Sequence, residues 1–152
     1  MPFALLYGEA SLFLLPDEQS RFVHHLSGVL KGPSDEILIV TPSFRHAELK
    51  KTLLKSARKN SRITLIVQEL KGDPLSMVQY ENTDLYTFGT RPLQGSLILI
   101  DSRLVCTLPG RIEDQSFTDA ASIVRCSDDA AEAAAYRAAL LPLLRRSEKY
   151  LK

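Results

Sequence analysis

The first half of the chain alternates short apolar runs with stretches of helical periodicity. The apolar runs are LFLL, EILIVT and RITLIVQ, at residues 12–15, 36–41 and 62–68. Their length and β-branched content are typical of buried strands. Pro16-Asp17 opens a helical pattern between the first two runs, and Gly32-Pro33 ends it. The apolar side of this predicted helix comprises Phe22, Val23, Leu26, Val29 and Leu30.

Turn residues mark where two further helices should begin. We expect Ser43 to cap a helix from about Arg45 to Lys59. Asp73-Pro74 has the pattern of an N-cap followed by proline, which predicts a short helix ending near Tyr80. A further strand is predicted from Asp84 to Phe88.

The second half begins with two apolar runs that are close enough to form a hairpin. They are SLILID and RLVCTL, at residues 96–101 and 103–108, and AASIVRC at 120–126 predicts one more strand. Ser127 or Asp128 is expected to cap a long final helix, which Pro142 should kink. Its apolar stripe comprises Tyr136, Leu140, Leu143, Leu144 and Leu151.

This order of elements predicts an α/β fold with one mixed, mostly parallel sheet and helices on both faces. The chain has 152 residues, so we expect a single domain, residues 1–152, with one sizeable core. Hydrophobic residues make up 45% of the chain and its net charge is +1. These values are typical of ordinary globular proteins and indicate no general attraction to polyanions.

The sequence predicts a cytoplasmic protein without a membrane segment, metal site or cofactor. The apolar N-terminal stretch lacks a leading basic residue and is broken by Gly8 and Glu9, unlike a secretory signal. No segment approaches the roughly 20 apolar residues that a membrane helix needs. Cys106 and Cys126 are too few for a disulfide framework and are not spaced as metal ligands. We expect two free thiols, with a disulfide only if their strands are neighbours.

The segment EILIVTPSFRHAELKKTLLKSARKNSRITLIVQ resembles the phospholipase D superfamily, and more narrowly its small single-motif bacterial endonucleases. The shared order is a strand, a turn of small residues, a helix, a basic stretch and a second strand. The resemblance covers residues 11 to 150. It implies a phospholipase D-like sandwich and a homodimer formed across the face that carries the motif.

The family motif is HxKxxxxD, and QGSLILID aligns with it at one position of three. Asp101 takes the aspartate position, but Gln94 stands in place of the histidine and Ser96 in place of the lysine. In the family, the histidine attacks the phosphodiester and the lysine holds the phosphate charge. An amide can neither attack nor shuttle protons near neutral pH, and a hydroxyl supplies no positive charge. The resemblance therefore implies a vestigial groove lined by Gln94, Ser96 and Asp101.

The histidines offer other candidates for acid–base chemistry. His46 follows a central strand, on the side of an open α/β sheet where ligands usually bind, and it is the best remaining candidate. It could equally be an exposed residue in the first turn of a helix. His24 and His25 point to different sides of a helix, so at least one should be exposed.

Basic residues concentrate between Arg45 and Arg62. Lys51, Lys55, Arg58 and Arg62 are spaced four, three and four apart, which predicts one helix face that could contact phosphates. A solvated helix side is the simpler interpretation. Aromatic residues nearby are sparse, which argues against stacking on single strands.

Three functions remain open at this point. The leading one is a phospholipase D-like domain that has lost catalysis and serves as a binding or scaffolding module for nucleic acid, another phosphate-bearing ligand or a protein. The second is an active phosphodiesterase or nuclease that uses other residues, such as His46. The third is an interaction domain of unrelated α/β type.

Overall fold

The computed structural model describes residues 9–31, 36–58, 61–69, 82–89, 91–113 and 121–150. One large sheet contains β1 (Glu9–Leu15), β2 (Glu36–Thr41), β4 (Arg62–Val67), β5 (Thr83–Thr87), β6 (Ser96–Ile100), β7 (Leu104–Leu108), β9 (Ser122–Asp128) and β10 (Glu148–Lys149). A separate ribbon pairs β3 (Phe44–Arg45) with β8 (Ile112–Glu113). The helices are α1 (Gln19–Lys31), α2 (Ala47–Arg58) and α3 (Ala130–Arg146).

The large sheet is mixed and mostly antiparallel, so the prediction of a mostly parallel sheet is wrong. Its strand order is β1-β9-β7-β6-β2-β4-β5-β10. Only β2–β4 and β4–β5 pair in parallel. The β6–β7 hairpin joins beside β2 in the antiparallel sense, and β9 and β1 continue outward from it. Hairpin connections need no crossover helix, so the second half of the chain adds antiparallel pairs.

Helices cover both faces of this sheet, as predicted. On one face, Phe22 and Leu26 of α1 and Leu49 and Leu53 of α2 pack on the larger apolar core. On the other face α3 packs on a second core, in which Ala133 is fully buried. The predicted α3 stripe is confirmed at Tyr136, Leu140, Leu143 and Leu144, while Leu151 lies outside the described residues.

The strand and helix predictions that fall on described residues are confirmed within a few residues, but the residues that cap α2 and α3 are not the predicted ones. Phe44 and Arg45 form a strand before α2 starts, so His46 and not Ser43 occupies the cap position. Strand β9 extends to Asp128, and Asp129 caps α3 by accepting from the backbone N–H groups of Ala131 and Glu132. The predicted short helix from Asp73 to Tyr80 lies outside the described residues.

The two cysteines form a disulfide, so the prediction of free thiols is wrong. Cys106 in β7 lies directly opposite Cys126 in β9, and both are buried. The sequence does not show this register, which alone brings the sulfurs together. The expected cytoplasmic location therefore loses the support that free thiols would have given it.

No helix in the described part of the chain is long and apolar enough to cross a membrane.

The two neighbouring histidines of α1 sit in different surroundings, as predicted. His24 is exposed, whereas His25 is partly buried with its ring 5.4 Å from the ring of Phe13. Burial, and secondarily the nearby Arg21 charge, lowers the pKa of His25 below its ordinary value of 6.5. His25 has its ordinary pKa in the unfolded chain and a lowered pKa in the folded protein. The unfolded chain therefore binds this proton more strongly, so lowering the pH from the unfolded to the folded pKa favours unfolding.

We predict that the free energy of unfolding falls as the pH drops below about 6.5, and that His25→Gln reduces this fall. Urea unfolding at several pH values between about 5 and 7.5 measures the effect. His24→Gln is the matched control, because it removes an exposed imidazole from the same helix. An equal change in both variants, or no change in His25→Gln, contradicts the assignment to His25.

Candidate functional site

Ser96, which the motif spacing predicts at the lysine position, is a buried residue at the start of β6. Only 7% of its surface is exposed. Alternation along the strand places it on the same face as Ile98 and Ile100, which belong to the larger core. The side chain at this position therefore points into the protein beneath α1 and α2.

The Ser96 hydroxyl is bonded inside the protein. It lies 2.8 Å from Oγ1 of Thr41 and 2.6 Å from the carbonyl oxygen of Gly110, so its single proton is shared between two acceptors. The Thr41 hydroxyl donates to the Ser43 carbonyl at 2.8 Å and accepts from the Ile112 N–H at 3.3 Å. We call these groups the hydroxyl network. It joins β6 and β2 to the chain around β8.

The β3–β8 ribbon covers the Thr41 side of this network, whereas Gly110 is exposed and Ser96 lines a surface pocket. Phe44 pairs with Ile112, and both residues have no exposed surface. Thr41 and Ser43 are also fully buried. Neutral hydroxyls at this position offer a phosphate no positive charge.

Gln94, at the position of the family's histidine, is exposed. Gly95 separates it from Ser96 and has a φ of +116°, where a Cβ would lie 3.1 Å from the Leu108 carbonyl oxygen. Strand alternation does not continue through such a residue, so Gln94 does not follow Ser96 into the core. It lines instead a 330 Å³ pocket beside α3.

Asp101 lies at the other end of β6, in the hairpin turn, with a φ of 54°. Its Oδ1 accepts from the Glu36 N–H at 2.9 Å, and its own N–H donates to the Glu36 carbonyl at 2.9 Å. Five residues of extended chain separate it from Ser96 by about 17 Å. The structure does not bring Gln94, Ser96 and Asp101 together in one groove, and Asp101 serves the start of β2.

His46 has no exposed surface and acts as a helix cap. Its Nδ1 accepts from the Leu49 N–H at 3.3 Å, and its carbonyl oxygen accepts from the Lys50 N–H. The alternative interpretation of His46 as an exposed residue in the first turn of a helix is therefore wrong. A general acid or base must reach a substrate within hydrogen-bond distance, and this enclosed ring does not present itself to one.

The predicted basic helix face is only partly formed. Lys51 and Lys55 are exposed on α2, four residues apart. The helix ends at Arg58, and Arg62 belongs to β4, where it bonds Asp84 at 2.6 Å. Arg62 therefore does not share the helix face, and its charge is already paired.

A groove beside α3 was not predicted from the sequence. One wall is the chain from Arg91 to Leu97, and the other is α3 from Tyr136 to Arg146. It contains the 330 Å³ pocket and a second pocket of 160 Å³, which share Leu93. Helical spacing identified the apolar α3 residues only as core, and nothing in the sequence places residues 91–95 opposite them.

Comparison with known proteins identifies the fold. No family model and no curated protein matches the sequence. Among solved structures, NucT from Helicobacter pylori superposes with a TM-score of 0.81 at 16% identity, covering 93% of this chain and 99% of NucT. Nuc from Salmonella typhimurium, a phospholipase D family member, gives a TM-score of 0.76 at 14% identity, covering 95% and 100% of the two chains.

A third similar structure is TrmBL2, an archaeal chromatin protein. Its TM-score is 0.67 at 13% identity, and the match covers 98% of this chain and 58% of TrmBL2. These matches are inconsistent with an α/β fold unrelated to phospholipase D. The chain has the phospholipase D fold.

Proposed function

We propose that this chain is a non-catalytic binding module built on the phospholipase D fold. The observation that supports this most strongly is Ser96, which stands at the lysine position and is buried with its hydroxyl bonded to Thr41 and Gly110. A side chain that stabilises transferring phosphate must present positive charge to the substrate. Here the position serves the packing of the domain instead.

The position of the nucleophile supports the same proposal. Gln94 is an amide, which neither attacks a phosphodiester nor carries a proton near neutral pH. The nearby histidine, His46, is enclosed and caps α2. The family's chemistry therefore lacks its nucleophile, its acid and its cation together.

We propose that the ligand is a nucleic acid, contacted through its phosphates. Lys51 and Lys55 project from one side of α2 and are exposed, and cations of this kind bind backbone phosphates without reading sequence. TrmBL2, which has a similar fold, is described as a DNA-binding chromatin protein. A weak, salt-dependent interaction is expected, because few cations are involved and the net charge is +1.

We also propose that the chain forms a homodimer, through a surface other than the motif face that the resemblance to single-motif endonucleases implies. Leu12, Leu14 and Ile123 are 59%, 43% and 64% exposed. Leu14 pairs with Ile123 across β1 and β9, so these side chains share a sheet face, which we call the edge strip. Exposed apolar patches commonly mark protein interfaces, and a two-fold dimer covers the same patch on both copies.

The catalytic and binding parts of the proposal are tested together. We expect no turnover of bis-p-nitrophenyl phosphate or plasmid DNA above buffer, with or without EDTA. We expect measurable DNA binding that weakens as salt rises and drops in Lys51→Gln/Lys55→Gln, because two phosphate contacts are lost. Fluorescence anisotropy with a labelled duplex measures the binding.

Arg103→Gln/Arg145→Gln is the charge-matched control for binding, since it removes two exposed cations elsewhere. An equal loss of affinity in both double variants contradicts the α2 site. Metal-independent turnover that disappears in His46→Asn contradicts the absence of catalysis and favours the second function, an active phosphodiesterase. Asparagine keeps the capping oxygen, so this variant retains the helix cap.

For the dimer, we predict twice the mass of the chain by light scattering during size-exclusion chromatography. Ile123→Glu should produce the monomer, because it places a charge within the apolar edge strip. Leu141→Glu is the control, since Leu141 is a 42% exposed leucine on α3, away from the strip. A monomeric parent protein, or dissociation in both variants, contradicts the proposed interface.

A further inference from the structure

The groove beside α3, here called the α3 groove, has an apolar part and a cationic part. The larger pocket is lined mainly by apolar groups, including Leu93, Tyr136, Ala139 and Leu140. The smaller pocket is lined by Phe88, Leu93 and Leu143, together with Arg91 and Arg146. The two arginines therefore stand at one end, and Gln94 and Tyr136 stand at the other.

The wall opposite α3 is held in place by one side chain. Gln68 follows β4, and its Nε2 donates to the Arg91 carbonyl at 2.6 Å. Its Oε1 accepts from the Leu93 N–H at 2.9 Å. Both ends of this amide are used to fix residues 91 to 93, so the groove is formed before any ligand arrives.

The charges at the cationic end have no opposing acid in the groove. No aspartate or glutamate lines either pocket. Arg91 and Arg146 are exposed, and neither makes an ion pair with another described residue. Nε of Arg146 donates to the Pro142 carbonyl at 3.1 Å, which anchors this side chain along the helix. The two guanidinium groups offer an anion several N–H donors.

The dimensions of the α3 groove match a short amphiphile. The ten residue steps of α3 from Tyr136 to Arg146 span about 15 Å. We infer that the groove binds an apolar chain that ends in a carboxylate or phosphate, with this head at Arg91 and Arg146. An extended peptide is disfavoured, because the largely apolar lining would leave its backbone groups without partners.

This inference does not rest on the proposed nucleic-acid function. The groove lies on the α3 face of the sheet, whereas Lys51 and Lys55 are on α2, which packs on the opposite face. Ser96 of the hydroxyl network is also one of the residues that line the larger pocket, so the groove begins beside that network. A protein that binds no DNA could still bind the amphiphile, and the reverse also holds.

Isothermal titration calorimetry with sodium decanoate, decyl phosphate and 1-decanol tests the inference. We expect saturable binding of decanoate or decyl phosphate, and at least about tenfold weaker binding of the uncharged alcohol. The stronger of the two anions identifies the preferred head. Arg146→Gln should weaken binding of the anions by about tenfold, because one guanidinium contact is lost.

Two neighbouring residues provide matched controls. Ala139→Phe should abolish binding by filling the larger pocket, whereas Ala138→Phe adds the same ring to an exposed position that does not line it. Arg145→Gln removes an exposed cation adjacent to Arg146 that lines neither pocket.

Absence of saturable binding for both anions overturns the inference, as does an equal loss in a variant and its control. Equal affinity for decanol overturns the assigned role of the arginines. If a peptide with an apolar C-terminal residue binds and neither anion does, the inferred amphiphile is wrong and the groove binds a protein partner instead. DNA binding that is unchanged in Ala139→Phe shows that the groove and the nucleic-acid face act separately.

Discussion

The hydrogen-bonded hydroxyl of Ser96 is the interaction on which the position of the start of β6 depends. By contacting Thr41 of β2 and the Gly110 carbonyl, it fixes the start of β6 beside the end of β2 and the approach to β8. The β3–β8 ribbon then lies beside Thr41, whose buried hydroxyl donates to the Ser43 carbonyl and accepts from the Ile112 N–H. Ser96, which the motif spacing predicts at the lysine position, is therefore part of this packed region.

The two faces of the sheet consequently carry different surfaces. On the side of α1 and α2, the larger core is covered by the two helices, and the exposed residues include Lys51 and Lys55 of α2. On the other side, α3 is the helix of the described part of the chain that covers the middle of the eight-stranded sheet. It leaves the edge strip uncovered on β1 and β9 and a groove along its own flank. Exposed apolar surface therefore remains on the α3 face of the sheet.

Elements that depend on local pattern could be predicted from the sequence, and those that depend on pairing could not. EILIVT is β2 as predicted, because its apolar run has clear boundaries. The hairpin at SLILID was also predicted, but not its antiparallel place beside β2, which makes the sheet mostly antiparallel. The disulfide was missed for the same reason, since only the register of β7 against β9 brings Cys106 to Cys126. Within the candidate site, the motif spacing identified Ser96, but burial and the turn at Gly95 separate it from Gln94 and Asp101.

The free energy of unfolding of Ser96→Lys, compared with that of Ser96→Ala, tests most directly whether the lysine position is closed. If it is, the ammonium group has neither room nor an opposing charge, and Ser96→Lys should cost at least about 3 kcal/mol. Ser96→Ala should cost less, about 1–3 kcal/mol, because it only leaves the Thr41 and Gly110 oxygens short of a donor. A Ser96→Lys protein within about 1 kcal/mol of the parent would mean that an open groove accepts the lysine, which contradicts the account.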